Sequence, residues 1–401
     1  MASEFFNSDF GKMLDLFYED TELIRQLFKI FECDGGINIL LTGYFAKAVN
    51  ALMRHNPSGF LTFMYQEGFH LEFINHLYSS SISDLVYNFI ANSFCEFLPY
   101  VTQMLEGLIE KIGCDYNSMV SINSQNLVSS VLKNRDFVKC HSEIADEILK
   151  PGNINKILKY FSSELECTVV GAAKVTKQLL ELHANKASLT QSLEPYLEVF
   201  SNLLSSEAPM QSSQYGMTQP RVGQVKLLLC EIAAHLVEVP LLVSSGILTQ
   251  LTDMFSVYNY NTLFQNAYLT LVEAVMGSQD KELQEALLEQ AGLKEALKSL
   301  VVSPYEQIQG HIVRRGVMGH VYNIGEMLIK EGIDLGEDFG LELSERRRLE
   351  NWHLGGETSF NFESEEEAEL EEEEALPEEV NYMANNYWRI EVNLDDLEDL
   401  E

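Results

Sequence analysis

Apolar residues recur at spacings of three and four along about the first 350 residues of the chain, with little sustained alternation of apolar and polar positions. Spacings of three and four place side chains on one face of an α-helix, whereas alternation is typical of a half-buried strand. The pattern therefore predicts a chain in which helices dominate and no strands are needed.

A second regularity is a glycine or proline followed by apolar residues five and nine positions later. It starts at Gly68, Gly152, Pro195, Gly246 and Gly292, with a weaker copy from Gly107. Successive starts at 68, 107, 152, 195, 246 and 292 differ by 39, 45, 43, 51 and 46 residues, close to the roughly 40–47 residues of armadillo and HEAT units. Because one unit cannot bury its apolar stripe alone, this spacing predicts an all-α, armadillo/HEAT-like α-solenoid. An irregular helical domain with accidental spacing is the alternative.

Charge divides the chain unequally. The net charge is −34, and residues 357–401 carry 18 acidic residues and one basic residue, a net −17. We therefore predict a helical-repeat domain over residues 1–355 and an acidic, largely disordered tail over 356–401, because like charges repel and little apolar surface is available. Such an acidic surface repels nucleic acid and anionic membranes, so neither is expected as a direct partner.

Other sequence features indicate the compartment. The six cysteines are scattered, with no C-x-x-C and no spacing that suggests a zinc site or a disulfide framework, which favours a reducing compartment. The amino-terminal residues lack the pattern of a signal peptide. The long apolar stretch from Leu227 to Leu248 is interrupted by Glu231 and Pro240, which argues against membrane insertion. We expect a cytoplasmic protein, with the nucleus as a second location.

The chain shows no strong catalytic motif: neither a glycine-rich phosphate loop nor H-E-x-x-H is present. His70 and His76 are six residues apart, which on a helix points them in different directions, so a shared metal is not expected. Cys140 and His141 are adjacent and would not face each other on a helix. The sequence thus predicts a non-enzyme without cofactor or metal, while a hydrolase built from distant residues stays open as an alternative.

The basic stretch V-R-R-G-V-M-G-H-V-Y-N-I-G-E, from Val313 to Glu326, is predicted to be one helix. Its apolar face would hold Val313, Val317, Val321, Ile324 and Leu328, with His320 at the edge. Arg315, Gly319, Tyr322 and Glu326 would lie on the outer side, with Arg314 at the margin. Both arginines could then reach an acidic surface, on the tail or on a partner. Glycines inside a helix cannot form a phosphate cradle.

Four sequence blocks stand out in order along the chain: L-L-T-G-Y-F-A-K-A-V-N-A-L-M-R-H-N-P from Leu40, F-I-N-H-L-Y-S-S-S-I-S-D-L-V from Phe73, and later R-R-G-V-M-G-H-V-Y-N-I and W-H-L-G-G-E-T. In sequence and in order they resemble blocks of the SAPS family, the regulatory subunits associated with protein phosphatase 6. The first two blocks are the most specific. The family's acidic amino-terminal segment is shortened here and its long carboxy-terminal extension is missing, so a reduced set of partners is expected.

The resemblance implies a non-catalytic scaffold that binds a type 2A-like serine/threonine phosphatase catalytic subunit and directs it to substrates, with a third subunit or a substrate protein as further partner. An armadillo-type cargo or transport adaptor is the alternative. The partner-binding candidates are Arg54, His76, Ser80, Asp84, Arg314, Arg315 and Tyr322. For Asp84, a role in capping a helix or holding a local turn competes with partner contact.

The tail contains two features of its own. Ser364 is followed three residues later by Glu367, as in sites for acid-directed kinases, which makes Ser364 a modification candidate. Tyr382, Tyr387 and Trp388 interrupt the acidic run and could anchor a short segment in a groove.

Overall fold

The computed structural model describes residues 11–344, except 33–35, 135–136, 183–185, 213–217, 240, 309–310 and 338. The chain divides into two units, Met1–Gly340 and Leu341–Glu401. Only residues 341–344 of the second unit are described, so the predicted boundary near residue 355, the acidic tail and Ser364 lie outside the described residues.

The first half of the first unit contains helices α1 Gly11–Glu19, α2 Thr21–Phe28, α3 Ile39–His55, α4 Pro57–Gln66, α5 Phe69–Asn75, α6 Ser80–Asn92, α7 Leu98–Ile112, α8 Ser118–Lys133, α9 His141–Ile148 and α10 Pro151–Lys159. The second half contains α11 Glu166–Glu181, α12 Lys186–Leu193, α13 Leu197–Ser205, α14 Gly223–Ala233, α15 Leu241–Ser244, α16 Ile247–Val257, α17 Thr262–Met276, α18 Lys281–Glu285, α19 Leu293–Val302 and α20 Met318–Lys330. Short 3₁₀ turns Lys29–Glu32, Cys95–Phe97, Tyr160–Ser162 and Glu194–Tyr196 and a π turn Ala286–Gln290 extend or join them.

These helices stack in two layers. In the first, which we call the ladder, α3, α6, α8, α11, α14, α17 and α20 each pack against the next. In the second layer, α5, α7, α10, α13, α16 and α19 follow one another in the same order, α10 reaching α13 through the turn Tyr160–Ser162. Each second-layer helix also packs against the ladder helix that follows it in the chain. Contacts of this kind, between neighbouring repeats, define an armadillo/HEAT-like α-solenoid, as predicted.

The repeat pattern read from the sequence marks the second layer. Gly68, Gly246 and Gly292 are the N-cap residues of α5, α16 and α19, with φ of 78°, 75° and 72°, a left-handed conformation that glycine adopts without strain. The apolar residues five and nine positions after each of the five clear starts are all buried: Phe73, Leu77, Ile157, Phe161, Phe200, Leu204, Leu251, Phe255, Leu297 and Val301. The core therefore lies between the two layers.

The weaker copy from Gly107 is wrong, because this glycine lies inside α7 instead of starting a helix. A Cβ atom at Gly107 would lie 3.1 Å from Cγ2 of Ile74 on α5. The glycine thus reflects the close approach of two second-layer helices.

Asparagine side chains begin several ladder helices. The side-chain oxygens of Asn38, Asn117 and Asn261 accept hydrogen bonds from the backbone N–H groups of Leu40, Met119 and Phe264 at 2.8, 3.0 and 2.9 Å. Each bond satisfies a donor that the first turn of a helix leaves free. These caps fix where α3, α8 and α17 begin.

A cluster of phenylalanines fills the amino-terminal end of the core; we call it the aromatic cluster. It joins α2, α3, α4, α5 and α6 and comprises Phe28, Phe31, Phe45, Phe60, Phe63, Phe69, Phe73 and Phe89. Phe73 is fully buried and its ring lies 5.0 Å from that of Phe31 and 4.9 Å from that of Phe89. Pairs at such distances stabilise beyond their buried area.

Two short antiparallel hairpins, β1 Met210–Ser212 with β2 Thr218–Pro220 and β3 Tyr305–Ile308 with β4 His311–Arg314, interrupt the helices. The second hairpin contradicts the helix predicted from Val313. Arg314 ends β4, Gly316 and Val317 form a turn after Arg315, and the helix begins only at Met318. The β-branched pair Ile312 and Val313 fits a strand, and a Cβ atom at Gly316 would lie 2.8 Å from the carbonyl oxygen of Asn259. The hairpin and the turn after it therefore take the place of the first turns of the predicted helix.

Within the described part of the chain, no helix has the length and apolar content needed to cross a bilayer.

Candidate partner-binding face

The ladder helices present one side to the core and leave the other accessible; we call the accessible side the ladder face. At the amino-terminal end of the ladder helix α3, Ile39, Leu40, Leu41 and Tyr44 are exposed. Ile39 and Leu40 border a wide recess with Tyr78 and Asn117. Large apolar side chains clustered at a surface are typical of protein contact sites. Sequence reasoning did not single out this apolar patch.

Next along the ladder, α6 and α8 form a polar depression of about 320 Å³, here the Asp84 depression. Its lining consists of Ser80, Ser83, Asp84, Tyr87, Asn123, Asn126, Leu127, Ser130 and Asn134. Asn134 donates a hydrogen bond of 3.0 Å to the Tyr87 hydroxyl, which ties the two helices together. The structure thus brings two of the predicted site residues, Ser80 and Asp84, to one place.

Asp84 does not cap a helix. It lies in the second turn of α6, which starts after the N-cap position Ser79, and its side chain is exposed. Among the described residues, its carboxylate has neither a hydrogen bond nor an ion pair. The capping alternative is therefore wrong, and the carboxylate is accessible to a partner.

A cleft of about 290 Å³ continues from the Asp84 depression, sharing Asn126 and Ser130, and is lined by Lys133, Lys174 and Lys177. The Lys177 ammonium lies 2.9 Å from the Glu231 carboxylate and 3.7 Å from that of Glu181. Burial lowers the pKa of Lys174. Because Lys177 is already paired with these two carboxylates, Lys133 and Lys174 are the lysines of this lysine cleft that could meet an acidic group of a partner. The sequence analysis missed it.

Arg54 and His76 lie apart from this depression. Arg54 is exposed near the carboxyl end of α3, where its Nε donates to the backbone oxygen of Asn50 at 3.3 Å. One turn earlier, Asn88 of α6 donates 3.1 Å to the side chain of Asn50. His76 precedes α6 and stacks on Phe31 at 5.0 Å between ring centroids. His76 thus packs against the aromatic cluster, whereas Arg54 borders the ladder face.

The histidines make stability sensitive to pH. Burial is the main cause that lowers the pKa of His70, His76 and His320; Gln103 opposes it at His70 and Glu72 at His76. Below an unfolded-state pKa of about 6.5, the unfolded chain takes up protons that the folded chain does not, so stability falls with falling pH. We expect the free energy of unfolding to decrease from about pH 7.5 to 5.5.

Urea unfolding at each pH measures this decrease. The His70→Gln variant removes one of the three histidines and should show a smaller slope over the same range. A wild-type free energy of unfolding that stays constant across these pH values would contradict the prediction.

At the other end of the ladder, Arg314 lies with its guanidinium carbon 6.0 Å from the centre of the Tyr322 ring, within cation–π range. Tyr322 is buried, so its predicted outward position is wrong. Arg315 is half-buried, and its backbone N–H donates 2.9 Å to the oxygen of Pro304. His320 bonds Asn266 of α17 at 2.7 Å, consistent with a packing role. Four ladder helices, α8, α11, α14 and α17, separate this group from α6.

Two histidines that were weighed above as a metal ligand or a catalytic base, His70 and His141, form hydrogen bonds within the fold. His70 is buried and bonds Gln103 at 3.1 Å. His141 bonds the backbone oxygen of Leu132 at 2.8 Å. Within the described residues, no group of three or more His, Cys, Asp or Glu side chains is arranged to hold a metal ion.

Among solved structures, the chain is similar to an engineered protein, at 14% identity over 64% of this chain and 96% of that chain, with a TM-score of 0.44. It is also similar to a designed armadillo repeat protein for modular peptide recognition, at 14% identity over 62% and 92% of the two chains, with a TM-score of 0.42. The solenoid assignment itself rests on the helix contacts described above.

No protein-family model matches the chain. A curated relative does: serine/threonine-protein phosphatase 6 regulatory subunit 3-A of Xenopus laevis is 22% identical over 82% of this chain. The match covers 46% of the relative, so the chain spans less than half of that protein's length. The resemblance read from the sequence blocks is thereby confirmed: the chain is similar to a regulatory subunit of protein phosphatase 6.

Proposed function

We propose that the chain is a non-catalytic scaffold that binds a protein phosphatase 6-type catalytic subunit and directs it to substrates. The similarity to a phosphatase 6 regulatory subunit carries this proposal. The amino-terminal half of the ladder face supplies the contact surface, because it combines an apolar patch, an accessible carboxylate and a lysine cleft. Apolar and aromatic anchors provide most of the affinity in such interfaces, and charges around them guide association.

The remaining ladder helices are free, in this proposal, to take a substrate protein or a third subunit. A scaffold that binds two partners on different parts of one surface raises their effective concentration without doing chemistry itself. Cytoplasm and nucleus are the proposed locations.

A reconstitution experiment tests the proposal. The full chain is mixed with purified phosphatase 6-type catalytic subunit and passed over a size-exclusion column, with a serine/threonine phosphatase of another type as the specificity control. We expect a stable complex with the first enzyme only. If neither enzyme binds while the chain purified from cells carries transport cargo, the adaptor alternative replaces the scaffold.

Asp84→Ala should weaken this complex without affecting the fold. Removing an exposed charge costs about 0–1 kcal/mol of binding free energy, up to roughly a fivefold increase in Kd. The loss should be larger at low salt, because ions screen exposed charges. Binding measured by calorimetry at two salt concentrations, together with the melting temperature of the free chain, gives both quantities.

Glu106→Ala is the matched control, since Glu106 is an exposed acidic residue on α7 of the second layer. It should leave Kd unchanged at both salt concentrations. Equal effects of the two substitutions would show that Asp84 acts only through net charge and would remove the Asp84 depression from the proposed contact surface.

A further inference from the structure

Two cysteines that lie 45 residues apart in sequence meet in the fold. The sulfur atoms of Cys95 and Cys140 are 2.7 Å apart, and both residues are free thiols. Cys95 begins the turn Cys95–Phe97 before α7, and Cys140 is the N-cap residue of α9. A disulfide bond is about 2.05 Å long, so a small movement of the sulfurs would complete one.

The surroundings hold the two segments together. The backbone N–H of Lys139 donates 3.1 Å to the oxygen of Ala91, and the Lys139 ammonium lies 3.8 Å from the centre of the Phe94 ring. Each contact joins a residue next to Cys140 with the segment that leads to Cys95. The approach of the sulfurs is therefore part of a packed contact between neighbouring repeats.

The two thiols differ in access. Cys95 is exposed, whereas Cys140 is only 4% exposed. Burial, and then the neighbouring Cys95, raise the pKa of the Cys140 thiol to about 12, so Cys140 stays protonated near neutral pH. An oxidant from solvent therefore meets Cys95 first, and Cys140 lies behind it.

We propose that Cys95 and Cys140 form a reversible redox site, in which a hydroperoxide oxidises Cys95 and Cys140 then closes a disulfide. The thiolate of Cys95 attacks one oxygen of hydrogen peroxide, and the O–O bond breaks. The products are a sulfenic acid on Cys95 and a hydroxide ion, which takes up a proton and becomes water. The sulfur of Cys140 then attacks the sulfur of Cys95, the S–O bond breaks, and the departing hydroxide takes the Cys140 proton as water. Two thiols and one peroxide thus yield one disulfide and two waters.

The pairing is specific among the cysteines that the structure describes. Cys114 and Cys230 are buried and Cys167 is half-buried, and no other two of the five described sulfurs lie within hydrogen-bonding distance. In a reducing compartment, disulfides of this kind are typically transient and serve redox sensing. Sequence spacing alone gave no sign of the pair, because the fold brings the two connections together.

The test uses the full reduced chain, treated with increasing hydrogen peroxide, blocked with N-ethylmaleimide, digested and analysed by mass spectrometry without reductant. We expect a cross-linked peptide pair joining Cys95 and Cys140, lost on treatment with dithiothreitol. The cross-link closes a long loop in the unfolded chain, so the oxidised form should also melt several degrees higher, on the order of the effect of a native disulfide.

Three variants complete the design. In Cys140→Ser, the sulfenic acid on Cys95 should persist and react with dimedone; in Cys95→Ser, Cys140 should remain a thiol. Cys167→Ser is the matched control and should form the cross-link like the wild type. A wild-type chain in which peroxide converts Cys95 to sulfinic acid, or leaves it open to maleimide, without any Cys95–Cys140 peptide would overturn the proposal.

Discussion

Replacing Phe73 with alanine should lower the free energy of unfolding by about 3–5 kcal/mol, the range for removing a fully buried aromatic ring. The ring has 0% exposure and lies within 6.1 Å, centre to centre, of the Phe28, Phe31, Phe45 and Phe89 rings. Because these rings come from different helices, the cavity cannot close by the movement of one of them. Urea unfolding followed by circular dichroism measures the loss.

Phe137→Ala is the control for the same change of side chain at the surface, since Phe137 is 77% exposed. We expect an effect within about 0.5 kcal/mol there. If the two variants unfolded at similar urea concentrations, the aromatic cluster would not be the core that joins the first helices.

Gly325→Ala should destabilise the chain by about 1–3 kcal/mol, as overpacking of a core does. Gly325 is buried in α20, and an added methyl group would overlap the ring of Phe339. Phe339 is itself 2% exposed, so its ring has little room to move away. Inside a helix, alanine is normally more stabilising than glycine. The change in the free energy of unfolding expected here therefore has the opposite sign to the change that helix propensity alone predicts.

Gly319→Ala in the same helix is the matched substitution. Gly319 is exposed and a Cβ atom there would meet nothing within 4 Å. We expect this variant to be as stable as the wild type or up to about 1 kcal/mol more stable. Thermal and urea unfolding of both variants would decide the point, and a stabilising Gly325→Ala would refute the close packing of α20 against Phe339.

The repeat architecture could be predicted because it depends on local pattern. A chain breaker followed by apolar residues such as Leu251 and Phe255 is both a helix start and a buried stripe, and the recurrence of that unit reveals stacking. The same pattern correctly favoured helices throughout most of the chain. The pattern failed at Gly107, which lies inside α7 and allows close helix packing. The sequence pattern alone does not distinguish such a glycine from one that starts a helix.

Features that depend on tertiary contact were not predictable in this way. Nothing in the stretch from Val313 indicates that its first residues pair with Tyr305–Ile308 in a hairpin, or that a side chain at position 316 would meet the oxygen of Asn259. We predicted Tyr322 on the outer side of the helix because a helical wheel shows one helix alone. It does not show the hairpin before α20, whose Arg314 lies over the Tyr322 ring.

The lysine cleft was not predictable from the local sequence pattern. Lys133 is the last residue of α8, whereas Lys174 lies in the middle of α11, so the two lysines do not occupy equivalent positions of successive repeats. They line one cleft because α8 and α11 pack against each other in the fold.

The glycines that begin α5, α16 and α19 have a consequence for the handedness of the chain. Gly68, Gly246 and Gly292 all have positive φ, and space around each is open for 4 Å where a Cβ atom would point. Positive φ is the region that a mirror-image amino acid prefers, since inverting the α-carbon inverts its allowed backbone angles. At these three points the backbone of the solenoid has a conformation of the opposite hand. A D-amino acid introduced there by chemical synthesis would fit the backbone better than the L-amino acid with the same side chain.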